Sequence, residues 1–288
     1  MLNTVTKSAV IGSGTMGVGI AQVLIHGGIP TVLYDLSEEQ ARKAKETLIK
    51  RFSRLVEKGK MSEVEKDKAL GRLQVTTDIR QVYRVGVIIE AVPENIEMKQ
   101  SIFKELEENC PDDTLFATNT SSLSVTEIAG VLKRPSRLAG LHFFNPAPLM
   151  PLVEIIKGTD TSKETIHLLQ QFVTQIGKTA VICQDTPGFI VNRIARPFYN
   201  EALRIEKDNI ASVEKIDRIL KIIGGFKMGP FELQDLIGID VNFATTKTVH
   251  NSFYGESRFR PQYQQERMVQ AKRLGRKTGG GFYRYESS

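Results

Sequence analysis

Residues 142 to 156 read HFFNPAPLMPLVEII, an apolar stretch with three prolines whose ionisable side chains are His142 at one end and Glu154 near the other. A glutamate inside the apolar run LVEII needs a partner if it is to be buried, and an imidazole across a short hairpin supplies one. A carboxylate beside an imidazole raises its basicity and fixes its orientation. Such a histidine, with a pKa near neutrality, can take the proton of an alcohol as a hydride leaves the same carbon. His26 at a Gly-Gly helix end, His167 on an amphipathic helix and His250 on a carboxyl-terminal helix read instead as structural.

A hydride needs an acceptor, and the amino-terminal loop GSGTMG offers a place for one. Gly12 permits a tight turn, Gly14 lets the backbone approach a pyrophosphate, and Gly17 lets helix and strand pack closely. Thr15 and Met16 open the helix whose amino terminus points N–H donors at phosphates. A purely structural turn would explain the glycines. It would not explain Asp35, which ends the next strand where a carboxylate accepts from ribose hydroxyls and repels a 2′-phosphate, favouring NAD over NADP.

The elements that must hold these groups alternate. KSAVIG at 7 to 12, the helix that follows the glycines and PTVLYD form a βαβ unit, and apolar residues at helical spacing over 38 to 59, with a second helix at 62 to 71, predict a helical hairpin over 38–71. Strand-like runs recur at 73 to 76, 85 to 90, 114 to 118 and 137 to 143, separated by helices at 95 to 109 and 123 to 132. That alternation predicts a Rossmann-like α/β domain with a mostly parallel sheet covered on both faces. LVEII follows a short turn and is expected to pair antiparallel, and AVIC at 180 to 183 returns after a helix at 162 to 176. From Gly188 onward the pattern is helical, over 189 to 207, 212 to 223, 230 to 252 and 262 to 273, so QDTPG at 184 to 188 marks the expected boundary between residues 1–186 and an all-α domain at 187–288.

Composition fits two domains of a globular protein: 288 residues, 41% apolar and 25% charged. No apolar run is long enough to cross a bilayer, and MLNTVTKSAV leads into the glycine loop without a cleavable apolar core, so a cytoplasmic protein without a membrane partner is expected. Cys110 and Cys183 have neither metal-ligand spacing nor a disulfide framework, which predicts reduced thiols and no metal. The net charge of +6 and pI near 9.2 come from positives mixed with acids along most of the chain, so charge does not argue for nucleic acid.

GSGTMGVGIAQ, NTSSLSVTEIA, HFFNPAPLMPLVEII, TPGFIVNR, MGPFEL and LGRKTGGGFY, in this order and spacing, closely resemble the 3-hydroxyacyl-CoA dehydrogenases, nearly end to end. The resemblance implies NAD-dependent, reversible oxidation of an L-3-hydroxyacyl-CoA to the 3-oxoacyl-CoA, with His142 as general base and Glu154 as its orienting partner. It also implies Ser121 and Asn192 as polar contacts to the substrate next to the reacting oxygens. By themselves those two residues can equally cap the helices that follow them. Further NAD contacts are implied at Glu94, Lys99, Asn119, Asn145 and Lys277, the last reaching the cofactor from the helical domain. For Lys99 and Lys277 the plainer reading is surface charge.

The stretch 41 to 60 carries eight Lys or Arg against two Glu, and Arg51, Arg54 and Lys58 fall on one helical face. A charge run is usually a solvated face. The resemblance places Arg54 and Lys58 where the family meets CoA. RIARPFYNEALR and GGFKMGPFELQDLIGIDVNFA resemble the branch of phenylacetate breakdown that handles 3-hydroxyadipyl-CoA, as against the short-chain branch of fatty-acid metabolism that oxidises 3-hydroxybutyryl-CoA. Lys227 stands where the short-chain branch usually has proline. Arg196 or Lys227 is therefore expected to meet a distal carboxylate. Two other readings carry less. A hydroxyacid dehydrogenase of the same plan uses a lysine on the first helix of the second domain, and there is none between Gly188 and Asn200. A non-catalytic NAD-binding protein would have no need of Ser121, His142, Glu154 and Asn192 together. The expected enzyme binds substrate between its domains and forms a homodimer through 187–288, whose apolar helices exceed what one short bundle needs.

Overall fold

The computed structural model describes residues 5–285; residues 1–4, where the MLNT of the opening stretch falls, and 286–288 lie outside the described residues. The chain divides into two compact units with the break between Thr186 and Pro187.

In the first unit β1 (Ser8–Ile11), α1 (Thr15–His26) and β2 (Thr31–Tyr34) form the opening βαβ. The helical hairpin α2 (Glu38–Glu57) and α3 (Glu63–Leu70) follows, and then β3 (Leu73–Thr76), β4 (Val87–Glu90), α4 (Ile96–Asn109) and β5 (Leu115–Thr118). The unit is completed by α5 (Val125–Ala129), β6 (Leu138–Phe143), β7 (Leu152–Lys157), α6 (Lys163–Gln175) and β8 (Thr179–Gln184). Among the described residues eight strands make one sheet, in the order β3-β2-β1-β4-β5-β6-β7-β8. All neighbours run parallel except β6 and β7, whose antiparallel register sets His142 opposite Glu154. Every residue of β1, β4, β5 and β6 is buried, which is why these strands read as near-continuous apolar runs rather than alternating ones.

Ser37 and Ser62 cap α2 and α3 through their side chains, the second in a full capping box. The hairpin is held to the sheet by a narrow stripe: Ala41, Ala44, Leu48 and Phe52 are buried on α2 while its charged residues stay outside. Full burial of each large side chain contributes about 1.5–3 kcal/mol. The helix expected at 123 to 132 is shorter, because Ser124 caps it and Gly130 ends it.

The second unit is helical: α7 (Val191–Lys207), α8 (Val213–Ile222), α9 (Pro230–Ile237), α10 (Ile239–Ser252) and α11 (Tyr263–Gln270). The single helix expected over 230 to 252 is instead broken at Gly238, which has φ +102. A Cβ there would sit 2.9 Å from an Asp240 carboxylate oxygen and 3.0 Å from Lys277 Nζ. Glycine therefore meets both the backbone conformation and the close approach. Asp235 on α9 accepts from the backbone N–H groups of Phe282 (3.0 Å) and Tyr283 (2.9 Å) and from the Tyr285 hydroxyl (3.0 Å). These bonds tie down the terminal segment that follows Lys277. Among the described residues no helix is long and apolar enough to cross a membrane.

Candidate active site

The glycine loop follows β1 at the carboxyl edge of the sheet, where open α/β sheets bind ligands. Gly12 has φ +97, and a Cβ on Gly17 would lie 1.8 Å from the Gly12 carbonyl oxygen. Both glycines are thus demanded by the turn itself. At Gly14 an added Cβ would meet nothing within 4 Å, so this glycine keeps clear a space that the fold leaves open. Gly14 also caps α1 without any side-chain bond, which leaves the first-turn N–H groups of the helix directed at that space. The residues present fit a dinucleotide pyrophosphate.

Asp35 has a local task as well. Its Oδ2 accepts from the Ser13 N–H (2.8 Å) and hydroxyl (2.7 Å), and its Oδ1 from the Ser37 N–H (3.0 Å). The carboxylate therefore fastens the glycine loop to the end of β2, a role the sequence spacing does not reveal.

Four strands along the sheet, His142 Nδ1 lies 2.8 Å from Glu154 Oε2. His142 is 6% and Glu154 0% exposed. An ionised carboxylate only accepts, so this contact places a proton on Nδ1 and makes Nε2 the basic nitrogen. The Phe144 ring stands 4.5 Å from the imidazole, centroid to centroid. In the turn between the two strands the Pro146 carbonyl accepts from the Leu149 and Met150 N–H groups (2.9 and 3.1 Å). Lys178 donates from Nζ to the carbonyls of Ala147 (2.9 Å), Pro148 (3.3 Å) and Met150 (2.7 Å). Lys178 carries no signal in the sequence, because its partners are backbone oxygens of a distant turn.

The NTSS loop is organised by Glu94. Its Oε1 accepts from the Thr120 hydroxyl (2.6 Å), the Ser121 and Ser122 N–H groups (3.0 and 3.2 Å) and the Ser122 hydroxyl (3.1 Å). Burial would raise the Glu94 pKa, but the Thr120 bond, the Lys99 ammonium and the serine donors outweigh it and hold the carboxyl below its usual value. Ser124, not Ser121, caps α5, so the capping alternative does not account for Ser121. Asn119 turns its Oδ1 to the Phe143 N–H at 2.9 Å, linking the NTSS loop to the residue after His142. Lys99 is not surface charge: it is 1% exposed, with Nζ 2.6 Å from Glu90 and 3.3 Å from Glu94.

Two family models match the chain consecutively, the 3-hydroxyacyl-CoA dehydrogenase NAD binding domain over residues 7–186 and the C-terminal domain of the same family over residues 188–285. The chain belongs to the 3-hydroxyacyl-CoA dehydrogenase family. Its first unit is the family's NAD-binding domain, and NAD is its cofactor. It is 47% identical over 283 residues to a protein of Escherichia coli named 3-hydroxyadipyl-CoA dehydrogenase, covering 98% of this chain and 60% of that relative. A Clostridioides difficile 3-hydroxybutyryl-CoA dehydrogenase is 43% identical, with 97% and 99% covered. The crystal structure of a Ralstonia eutropha (S)-3-hydroxybutyryl-CoA dehydrogenase superposes with TM-score 0.93 at 36% identity, covering 99% of this chain and all of that one.

The remaining expected residues fall unevenly. A cavity of about 300 Å³ is lined by Thr15 and Gly19 of α1, Arg51 and Arg54 of α2, and Asn145 to Leu149 of the proline turn. Lys58 is exposed at the end of α2 and is not among the lining residues. In the helical unit Asn192 lies in the first turn of α7, half-buried, and the cap position is Ile190; Asn192 is therefore not the cap. Lys277 Nζ lies 2.6 and 2.7 Å from the two oxygens of Asp240.

The expectation that Arg196 meets a distal carboxylate is corrected by its placement. Arg196 is 3% exposed and its Nη1 donates to the Asn242 carbonyl (2.9 Å) and the Thr246 hydroxyl (3.0 Å). Burial pushes its pKa down to about 10. Lys227 is exposed.

Proposed function

We propose that this chain catalyses the reversible NAD-dependent oxidation of an L-3-hydroxyacyl-CoA to the 3-oxoacyl-CoA. The observation that carries the reading is the buried His142–Glu154 pair at 2.8 Å in an NAD-binding domain of this family. His142 Nε2 takes the proton of the C3 hydroxyl, and Glu154 holds the Nδ1 proton and stabilises the imidazolium that forms. NAD, when bound, supplies the acceptor for the hydride that leaves C3. Ser121, on the loop ordered by Glu94, and Asn192 donate hydrogen bonds to the oxygens whose charge changes, the C3 oxygen and the thioester carbonyl. Asp35 accepts from the ribose hydroxyls, the open face at Gly14 takes the pyrophosphate, and Glu94, Asn119, Asn145 and Lys277 complete the cofactor contacts.

Arg51 and Arg54, which line one cavity, with Lys58 just past the end of α2, supply the positive charge for the phosphates of CoA. A dicarboxyl acyl group is favoured by the relative named for 3-hydroxyadipyl-CoA, with exposed Lys227 as the cation for the distal carboxylate. A homodimer through the helical unit is supported by the exposure of Ile219 (57%), Ile222 (65%), Ile223 (81%) and Phe226 (50%) on and just after α8. Sedimentation as a single 32.2 kDa species would exclude that dimer.

The test of the reaction is the loss of NADH absorbance with acetoacetyl-CoA and, separately, 3-oxoadipyl-CoA. Turnover with either supports the reading, the ratio of kcat/KM chooses the acyl class, and NADH binding without turnover of any 3-oxoacyl thioester contradicts it. Lys227→Met should lower kcat/KM for the dicarboxyl thioester alone; an equal effect on both would remove Lys227 from the reading.

A further inference from the structure

The apolar strand β4 ends in Glu90, a carboxylate with 0% exposure that the reaction proposed above does not use. Its Oε1 accepts from Lys99 Nζ at 2.6 Å and from the Val92 N–H at 2.7 Å, and its Oε2 accepts from the Thr118 hydroxyl at 2.6 Å. Lys99 is also buried, and its second carboxylate is Glu94, at 3.3 Å from Oε2. One ammonium thus stands between two carboxylates, nearer to Glu90. The other oxygen of Glu94 receives the N–H groups of Ser121 and Ser122 and the hydroxyl of Thr120. The signal in the sequence is a glutamate ending a buried strand with a lysine nine residues on, since a carboxylate in such a place requires a partner.

We infer that Glu90 is a positioning residue, which by taking the larger share of the Lys99 charge leaves Glu94 free to hold the backbone of the loop that carries Ser121. The inference rests on the role given to Ser121 above. Charges attract strongly in a buried site. If Glu90 loses its charge, Lys99 has a single charged partner, and Glu94 is drawn inward from the serine loop. If Lys99 loses its charge as well, nothing draws Glu94 inward and the loop keeps its acceptor. A merely structural role for Glu90 predicts the opposite order, with the double replacement at least as damaging as the single one.

The experiment is amide hydrogen exchange on the full-length chain, read at Ser121 and Ser122 and compared with amides of β1 and β5. In Glu90→Gln the two serine amides are expected to exchange about tenfold faster, with the strands within about threefold of wild type. In Glu90→Gln combined with Lys99→Met they are expected to return to within about threefold of wild type. Unchanged serine exchange in the single variant, or acceleration spread equally through the strands, overturns the inference. So does a double variant whose serine amides exchange as fast as those of the single one. Should Glu90→Gln not fold, the double variant, free of the buried charge, decides alone: slow exchange supports the relay and fast exchange overturns it. The kcat of Glu90→Gln separates this from the proposed reaction. A fall of about tenfold with KM for the thioester little changed is expected. If serine exchange rises as stated while kcat stays at the wild-type value, the relay stands and the role of Ser121 in the reaction fails.

Discussion

His142 and Glu154 face each other across the antiparallel pair β6 and β7, with Nδ1 and Oε2 2.8 Å apart. The proline turn between them leaves the two strands in register, so the carboxylate sits directly opposite the imidazole. Glu154→Gln keeps the shape and removes the charge. Its amide can no longer stabilise an imidazolium, and the proposed mechanism predicts a fall in kcat of about 10²- to 10⁴-fold. A kcat equal to wild type would show that Glu154 does not act on His142.

The two glycines of the dinucleotide loop should separate binding from folding. Gly14→Ala adds a methyl where nothing lies within 4 Å, so stability should change by no more than about 1 kcal/mol while NADH binds about tenfold more weakly or worse. Gly17→Ala puts its methyl 1.8 Å from the Gly12 carbonyl oxygen and should cost more than about 3 kcal/mol. Urea titration and NADH fluorescence on the same two variants check this; equal NADH affinity in Gly14→Ala and wild type would remove the pyrophosphate from that space.

Arg196→Ala should act on stability rather than selectivity. The side chain is packed within the helical unit against Asn242 and Thr246, and its removal leaves a cavity costing about 2–4 kcal/mol. Below the unfolding transition, kcat/KM for 3-oxoadipyl-CoA and acetoacetyl-CoA should fall in the same proportion. A selective loss with the dicarboxyl thioester would bring the guanidinium back to the acyl chain.

Much of this was legible in the sequence, and the exceptions share a cause. The parallel strands could be read because burial on both faces leaves apolar runs bounded by turns, and the glycines at 12 and 17 follow from the turn they make. The break at Gly238 was not legible, because helical periodicity continues on both sides and a lone glycine is tolerated within a helix. What demands it is the backbone, whose φ of +102 at Gly238 belongs to the folded unit. The place of Arg196 is not legible either, because an arginine is expected outside unless paired, and its partners here are a backbone carbonyl and a hydroxyl. Asp35 was found for its spacing, but its bonds to Ser13 belong to the folded loop. The His142–Glu154 pair was legible for a simple reason: twelve residues with a proline-stiffened turn leave little else for a buried glutamate to meet.

The two thiols should be slow to react in the native protein. Burial pushes Cys110 up to about 11, and burial together with the charges of Glu154 and Asp185 pushes Cys183 up to about 12. At pH 8 the thiolate fraction is then on the order of 10⁻³ or less. Iodoacetamide labelling followed by mass spectrometry should find both cysteines intact under conditions that modify a free thiol fully; rapid native labelling of Cys183 would show a thiol more open than its surroundings imply.

The central claim is that His142 carries the proton for the hydride transfer, and the direct measurement is NADH oxidation by His142→Ala with a 3-oxoacyl-CoA, alongside NADH binding. The account predicts that turnover falls by about 10²-fold or more, with NADH affinity unchanged. Turnover at the wild-type rate would contradict it and send the proton transfer to another group.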